Sequence, residues 1–261
     1  MAQIDILSKP LETGFPDEWY GLGLETHFWF HWRLQAFLNL LAQNGIATNA
    51  DLKVLEVGCG AGALRTQIES VTRWTVDGAD INQPALQACA AGRGRTLLYN
   101  IQDEHASMVH AYDGALLFDV IEHIREPAPF LRAALRHIKP GGWMIANVPA
   151  SETLRSRYDD VVGHYRRYSK GRLAAEFLAL GEDVRCVDLR YWGMSLVPLG
   201  LARKLILHWV KDDTEVVRVG FKPPGRLINQ ALCLLMRAET SLLSRPPLGT
   251  SVLMLARVAG G

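Results

Sequence analysis

Val54-Leu55-Glu56-Val57-Gly58-Cys59-Gly60-Ala61-Gly62 is the stretch whose reading decides the fold. Residues 52–57 are a short apolar run that stops at glycines, the pattern of a buried parallel strand. From Ala61, the sequence Ala61-Gly62-Ala63-Leu64-Arg65-Thr66-Gln67-Ile68 reads as the helix that follows. Gly58, Gly60 and Gly62 occupy the turn between them. Without Cβ atoms they permit positive φ and let a ligand approach the backbone closely. Unpaired N–H groups of the first helical turn then face a polar ligand.

Two cofactor chemistries suit such a turn. Gly58-x-Gly60-x-x-Ala63 passes a loose dinucleotide fingerprint, which is weak evidence on its own. Glu56, on the strand just before the first glycine, argues for the other. A carboxylate there repels a pyrophosphate and suits a ligand that carries an ammonium and a sulfonium. The arrangement Glu56-x-Gly58-x-Gly60-x-Gly62 resembles motif I of the class I S-adenosylmethionine (SAM) methyltransferases. A plain tight turn between strand and helix is the structural alternative for these glycines.

The pattern continues downstream. Residues 74–79 read as a second strand ending at Asp80, which lies 20 positions after Gly60 and can accept both hydroxyls of a ribose. Asn82 and Pro84 supply their own helix-start signals, so Asp80 is not needed as a cap. Ile81 joins Asp80 in the predicted cofactor site. A helix over 84–91 and a strand over 96–101 follow, with Asn100 and Ile101 at the strand end where an adenine would lie. Residues 115–118 form the next strand, and Phe118 and Asp119 are expected to border the methionine end of the cofactor. The run from Phe118-Asp119-Val120-Ile121-Glu122-His123 to Lys139-Pro140-Gly141-Gly142 resembles the same superfamily, and the resemblance covers most of 51–191.

These alternating strands and helices imply a parallel sheet with right-handed crossovers. The resemblance implies an α/β, Rossmann-like doubly wound sheet of seven strands whose last strand, 251–258, inserts antiparallel. Four segments follow: an N-terminal helical cap (1–50), the core (51–191), a helical insertion (192–248) and the final core strand (249–261). Residues up to Gly23 are expected to be irregular. A helix begins at Glu25, carries Phe30, Leu34, Phe37, Leu38 and Leu41 at helical spacing, and stops at Asn44-Gly45. Its aromatic start, His27-Phe28-Trp29-Phe30-His31-Trp32-Arg33, suits either a lid over the cofactor or simple packing on the sheet. On the lid reading Phe30 and Arg33 touch the cofactor. His27 and His31 stand at i, i+4 without a local carboxylate, and packed or solvated histidines fit them better than a metal pair.

At 261 residues with 49% hydrophobic and 21% charged residues, the chain has an ordinary globular composition. A net charge of +1 gives no bulk attraction for nucleic acid. The end of the 115–118 strand also lacks the Asn/Asp-Pro-Pro-aromatic signature of base amino-group methylation. Cys59, Cys89, Cys186 and Cys233 are far apart in sequence, as expected for small apolar residues in a reducing cytoplasm. No signal peptide and no spanning run of about 18 apolar residues is read. The Leu-rich stretches 192–210 and 227–243 suit a cap on the substrate pocket, a homodimer contact or a peripheral membrane contact.

Methyl transfer to a hydroxyl needs an in-line nucleophile, exclusion of water and removal of a proton. His164 is the predicted general base. Glu122 and His123 complete the predicted catalytic set, with a helix-start hydrogen-bond network as their structural alternative. The Gly163-His164 pair resembles the ubiquinone-type O-methyltransferases. That resemblance implies a divalent metal held by acidic residues and a His after the fourth strand. Asp119, Glu122 and His123 match the cluster only in part, and no metal is assigned. Arg166 and Arg167 suit either an anionic acceptor or pairing with Asp159 and Asp160, and Tyr165 and Tyr168 suit either pocket or packing. The expected activity is SAM-dependent methylation of a small-molecule acceptor with apolar surface, by O-methylation. The alternatives are N- or C-methylation, an NAD-dependent oxidoreductase, and a SAM-binding protein without catalysis.

Overall fold

The computed structural model describes residues 2–11, 27–221 and 224–260. The predicted helix start at Glu25 and most of the predicted irregular N-terminus lie outside the described residues. The strands are β1 (Ile4–Ile6), β2 (Lys53–Val57), β3 (Thr75–Asp80), β4 (Thr96–Leu98), β5 (Tyr112–Phe118), β6 (Ile138–Pro149), β7 (Val184–Trp192) and β8 (Ser251–Val258). They form one sheet in the order β1-β4-β3-β2-β5-β6-β8-β7. All pairs from β1 to β6 are parallel, and β8 runs antiparallel between β6 and β7.

The sheet thus has eight strands where seven were expected. The extra one is β1, whose Ile4 to Ile6 pair in parallel with Thr96 to Leu98. Three residues give too short a run to show a period, so the alternation of an edge strand could not be read there. The antiparallel last strand is as expected, and Val148 and Val252 face each other in its register.

The chain runs outward from β2 through β3 to β4, then returns to lay β5 on the other side of β2. That reversal makes a crevice at the carboxyl ends of β2 and β5, where open parallel sheets bind ligands. The helices are α1 (Phe28–Gln43), α2 (Ala63–Val71), α3 (Gln83–Gln87), α4 (Pro127–Leu135), α5 (Arg157–Val161), α6 (Lys170–Leu178), α7 (Val197–His208), α8 (Asp213–Phe221) and α9 (Arg226–Leu242). α5 and α8 were not anticipated, because α5 is a single turn and α8 has only a short apolar stripe. α3 stops four residues before the expected Ala91.

α1 lies on the sheet. Trp32, Phe37, Leu40 and Leu41 are fully buried, and Phe37 meets Phe118 edge to face at 5.5 Å between ring centroids. Trp74, Trp143 and Trp192 belong to the same cluster, whereas Tyr99, Leu117, Leu131 and Phe177 lie in a second cluster of buried residues. Burying large aromatic side chains of this kind is worth roughly 3–5 kcal/mol each against truncation to Ala. The α1 packing also fixes Arg33 beneath the end of β5. α7, α8 and α9 stand between β7 and β8 in the chain, where the insertion was expected. No helix among the described residues is long and apolar enough to cross a membrane.

Candidate functional site

The turn after β2 is built as its glycines suggest. Gly58, Gly60 and Gly62 all have positive φ, at 72°, 52° and 76°. A Cβ on Gly58 would come within 2.6 Å of Val120 Cγ2, so the turn closes against the loop after β5 only without a side chain. Gly58 and Cys59 both donate their N–H groups to the carbonyl of Ala79. Asp80, at the end of β3, accepts from Gly60 N at 2.7 Å and, through its other oxygen, from Asn82 N at 2.8 Å. Asn82 in turn caps α3 by accepting from Ala85 N.

One cavity of about 950 Å³ opens over these elements. Of the predicted cofactor residues, Glu56, Gly58, Gly60, Asp80, Ile81, Asn100, Ile101, Phe118, Asp119, Phe30 and Arg33 all line it. Gly62 does not. It takes the left-handed N-cap position of α2 and its N–H donates to Cys59 O at 2.8 Å, which is a structural task. Cys59 and Cys89, distant in sequence, meet beneath this turn, where Cys89 Sγ lies 3.3 Å from Gly60 O. The Cys59 thiol is pushed up by its hydrogen bond to Cys89 and by burial.

The cavity end beside β5 carries opposite charges. Arg33 Nη1 donates to Asp119 Oδ2 at 2.8 Å, and Asn147 holds the other Asp119 oxygen at 2.9 Å. Asp119 adopts φ 59°, a conformation that costs a non-glycine residue about 1–3 kcal/mol and persists where surrounding contacts fix it. The Arg33 guanidinium stacks between rings, 4.8 Å from the centroids of both Trp29 and Phe30. Two buried polar atoms here have no hydrogen-bond partner among the described residues, Arg33 Nε and Glu56 Oε2. Burial pushes Glu56 up to about 8, against the opposing charges of Arg33 and Arg65. An unfilled donor and an unfilled acceptor side by side fit the zwitterionic end of an amino-acid-derived ligand. The donor set at this cradle therefore fits the methionine end of SAM, and Asp80 at the β3 end fits a ribose.

Glu122, His123 and His164 line the same cavity. The three offer ligand atoms within 4.8 Å of one another, a spacing that could hold a divalent cation. It is not the predicted partial cluster, because His164 takes the place of Asp119. Glu122 is completely buried, and neither of its oxygens finds a hydrogen-bond partner on another described residue. Burial, reinforced by the nearby Asp119 charge, pushes Glu122 well above the usual carboxylate range. Burial and then the neighbouring His164 lower His123 to about 3, so its ring stays neutral. The rings of His123 and His164 meet edge to face at 4.7 Å.

His164 is held by Asp159, whose Oδ1 lies 2.8 Å from Nδ1, and its Nε2 lies 4.0 Å from Glu122 Oε1. Asp159 also binds Arg167 Nε at 2.7 Å. Arg167 therefore pairs as one reading expected, but Asp160 pairs with Arg155 and Arg166 lies 3.6 Å from Glu176 instead. Tyr168 is buried beneath the loop and Tyr165 stands half-exposed on the cavity rim. His27 caps α1 by accepting from Trp29 N and stacks on Phe221 at 5.0 Å, a packed histidine as expected.

The far side of the cavity was not foreseen residue by residue. Tyr158 of α5 and Val162 just after it, Leu199 and Ile206 of α7, Phe221 of α8 and Ile228 of α9 form an apolar compartment adjoining His164. The only sequence signal for it is the Leu-rich insertion, which does not say which face turns inward.

A family model described as "Methyltransferase domain" matches residues 25–187. Over 116 residues the chain is 32% identical to the ubiquinone biosynthesis O-methyltransferase of Thiobacillus denitrificans, covering 41% of this chain and 50% of that protein. Over 183 residues it is 32% identical to the protein of the same name from Leptothrix cholodnii, covering 63% and 74%. The chain spans about half the length of the first curated relatives it matches. The plantazolicin methyltransferase BpumL in complex with SAH superposes with TM-score 0.56 at 10% identity, over 94% of this chain and 88% of that one. The Haemonchus contortus phosphoethanolamine N-methyltransferase 2 in complex with S-adenosyl-L-methionine gives TM-score 0.52 at 16% identity, over 86% and 52%. At such identities the structural likeness concerns the fold.

Proposed function

The chain belongs to the class I SAM-dependent methyltransferases, and from that premise we propose that it methylates a hydroxyl on a small acceptor with an apolar body. SAM supplies an electrophilic methyl on a sulfonium. Arg33 and Glu56 hold the amino-acid end of the cofactor, and Asp80 holds its ribose. Asn100 and Ile101 border the base, and Phe118 closes the methionine end. His164 takes the proton from the acceptor hydroxyl as the oxygen–carbon bond forms and the sulfur–carbon bond breaks. The electron pair of the broken bond stays on sulfur.

One observation carries this reading. A single cavity joins the cofactor cradle, His164 and the apolar compartment, so an acceptor bound among α5, α7 and α9 has its polar end at the imidazole. The aromatic walls exclude water from that junction, which favours transfer to the acceptor over solvent. The named relatives are ubiquinone biosynthesis O-methyltransferases, and an O-methylated ring with an apolar substituent suits the same compartment. Exposed Leu205, Trp209, Leu227, Leu234 and Leu242 give the insertion an apolar outer face that suits a homodimer or a peripheral membrane contact. Four free thiols support placing the protein in the cytoplasm.

The test uses SAM labelled in its methyl group and a panel of phenols and catechols bearing alkyl chains of increasing length. Label on the hydroxyl oxygen, with turnover rising with chain length, is expected. SAM binding with no transfer to any hydroxyl, or transfer to an amine control instead, overturns the proposal.

A further inference from the structure

Asp159 is completely buried, at the third helical position of α5. Its carboxylate meets four donor groups, one of them the Ser156 hydroxyl, whose Oγ donates to Oδ2 at 3.3 Å. Oδ2 accepts from Ser156 N at 2.9 Å and closes a capping box. Oδ1 accepts from Arg167 Nε at 2.7 Å and meets His164 Nδ1 at 2.8 Å. Ser156 N and Arg167 Nε are obligatory donors, so each carboxylate oxygen is already accepting. No proton is left on Asp159 to offer His164, and the imidazole must therefore donate from Nδ1. Its lone pair then sits on Nε2, which lies 4.0 Å from Glu122 Oε1, and both residues line the cavity.

We infer that Asp159 is a positioning residue which holds His164 as the Nδ1–H tautomer and aims Nε2 at the acceptor. The inference rests on the proposed role of His164 as base. The backbone adds to the grip, since His164 N donates to Asp159 O at 2.7 Å and Arg167 Nη1 donates to Ala150 O at 3.1 Å. The ring is thus fixed at both its main chain and its Nδ1. When Nε2 takes the acceptor proton, the imidazolium faces an ionised Asp159. Burial alone would raise that carboxyl, but the His164 hydrogen bond and the Arg167 charge outweigh it and hold it well below the usual range. The other groups around the ring are Glu122, His123 and Asp119. Burial pushes the Glu122 carboxyl well above the usual range, which disfavours its ionised form beside the imidazolium.

The decisive experiment reads the tautomer directly. Full-length protein labelled with 15N in histidine, treated with chelator, gives a two-bond 1H–15N correlation spectrum, and His164→Ala identifies the resonance. The expected His164 pattern has a protonated Nδ1 and a pyridine-like Nε2, the less populated form of a free side chain. A protonated Nε2 in the native protein overturns the inference, and this needs no variant at Asp159. In Asp159→Asn, the amide can turn its NH2 toward Nδ1. The expected results are a shift to the Nε2–H form, kcat on an alkylcatechol down about 10²–10⁴-fold, and nearly unchanged SAM affinity. Ser156→Ala removes the hydroxyl half of the capping box but keeps the Ser156 N–H on Oδ2 and the Asp159–His164 pair, so kcat is expected to hold while Tm falls. If Ser156→Ala loses kcat as fully as Asp159→Asn does, Asp159 acts only through the fold of α5, and the inference fails. Failure of the base itself looks different. In that case His164→Ala keeps turnover, whatever the tautomer.

Discussion

The carboxylate of Asp80 accepts the main-chain N–H of Gly60 at 2.7 Å, joining the end of β3 to the turn after β2. An acidic residue 20 positions after the second glycine thus has two tasks, because it braces the turn and faces the cavity. Asp80→Ala removes the brace together with the predicted ribose contact. We expect SAM affinity to fall by about 1–3 kcal/mol, the range for leaving hydrogen-bonding groups unpaired. Asp80→Asn keeps one acceptor oxygen and should lose less. Isothermal titration measures both, and unchanged affinity in a folded Ala variant would place Asp80 outside the cofactor site.

Glu56 is expected to make SAM binding depend on pH. Burial raises its carboxyl to about 8, and the Arg33 charge only partly offsets this. At neutral pH the ligand-free site is mostly protonated. A cationic ammonium beside Oε2 favours the ionised form, so binding expels a proton. Since the bound state holds fewer protons, affinity must rise with pH and level off above about 8. Below that point it should fall by up to about tenfold per pH unit. Titration in buffers of different ionisation enthalpy measures the released proton directly. The slope should vanish in Glu56→Gln, and a wild-type affinity flat from pH 6 to 8 would rule out this linkage.

Much of this cradle was legible in the sequence because its signals are local. Glu56 and the glycines sit within one strand and turn, and Asp80 ends the next strand, so their spacing together with the motif I resemblance points to them. Gly62 caps α2 and does not line the cavity, and a turn glycine and a helix-cap glycine look alike until φ and the facing surface are known. Asp159 was read only as an ion-pair partner, and its capping box with Ser156 went unnoticed in a five-residue helix. The Cys59–Cys89 contact and the apolar compartment depend on pairings between distant segments, which no periodicity records. The membership of the family also settles the choice between a SAM cofactor and a dinucleotide, which the glycines alone left open.

Glu122, His123 and His164 come close enough to chelate a cation, so metal dependence has a definite test. Burial and the Asp119 charge push the Glu122 carboxyl up, which disfavours the ionised form that a cation needs. Turnover is therefore expected to survive dialysis against a chelator and to stay level on adding Mg²⁺, Zn²⁺ or Mn²⁺. His123→Ala should lower Tm and leave kcat nearly unchanged, because that half-buried ring packs on His164 and stays neutral. A loss of kcat on chelation that is restored by one of these ions would make the three residues a metal centre instead.

The apolar compartment can be closed without touching the cofactor. Gly200 lies on α7 and lines the cavity, and a Cβ there would meet Leu154 Cδ2 at 3.4 Å, ordinary contact distance. A leucine at this position would take up room in the cavity beside Leu154. It would also favour the helix, since Gly costs about 0.8–1.0 kcal/mol relative to Ala in a helix interior. Gly200→Leu should therefore fold at least as well as the parent, which separates a lost pocket from a lost structure. KM for a long-chain alkylcatechol is expected to rise tenfold or more, a few methylenes of displaced contact at about 0.8 kcal/mol each. SAM affinity and turnover of an unsubstituted catechol should hardly change, because the cradle at Glu56 and Asp80 lies on the sheet side of His164. Should the long-chain KM stay level, the acceptor does not enter between these helices, and the compartment must serve some purpose other than holding its apolar body.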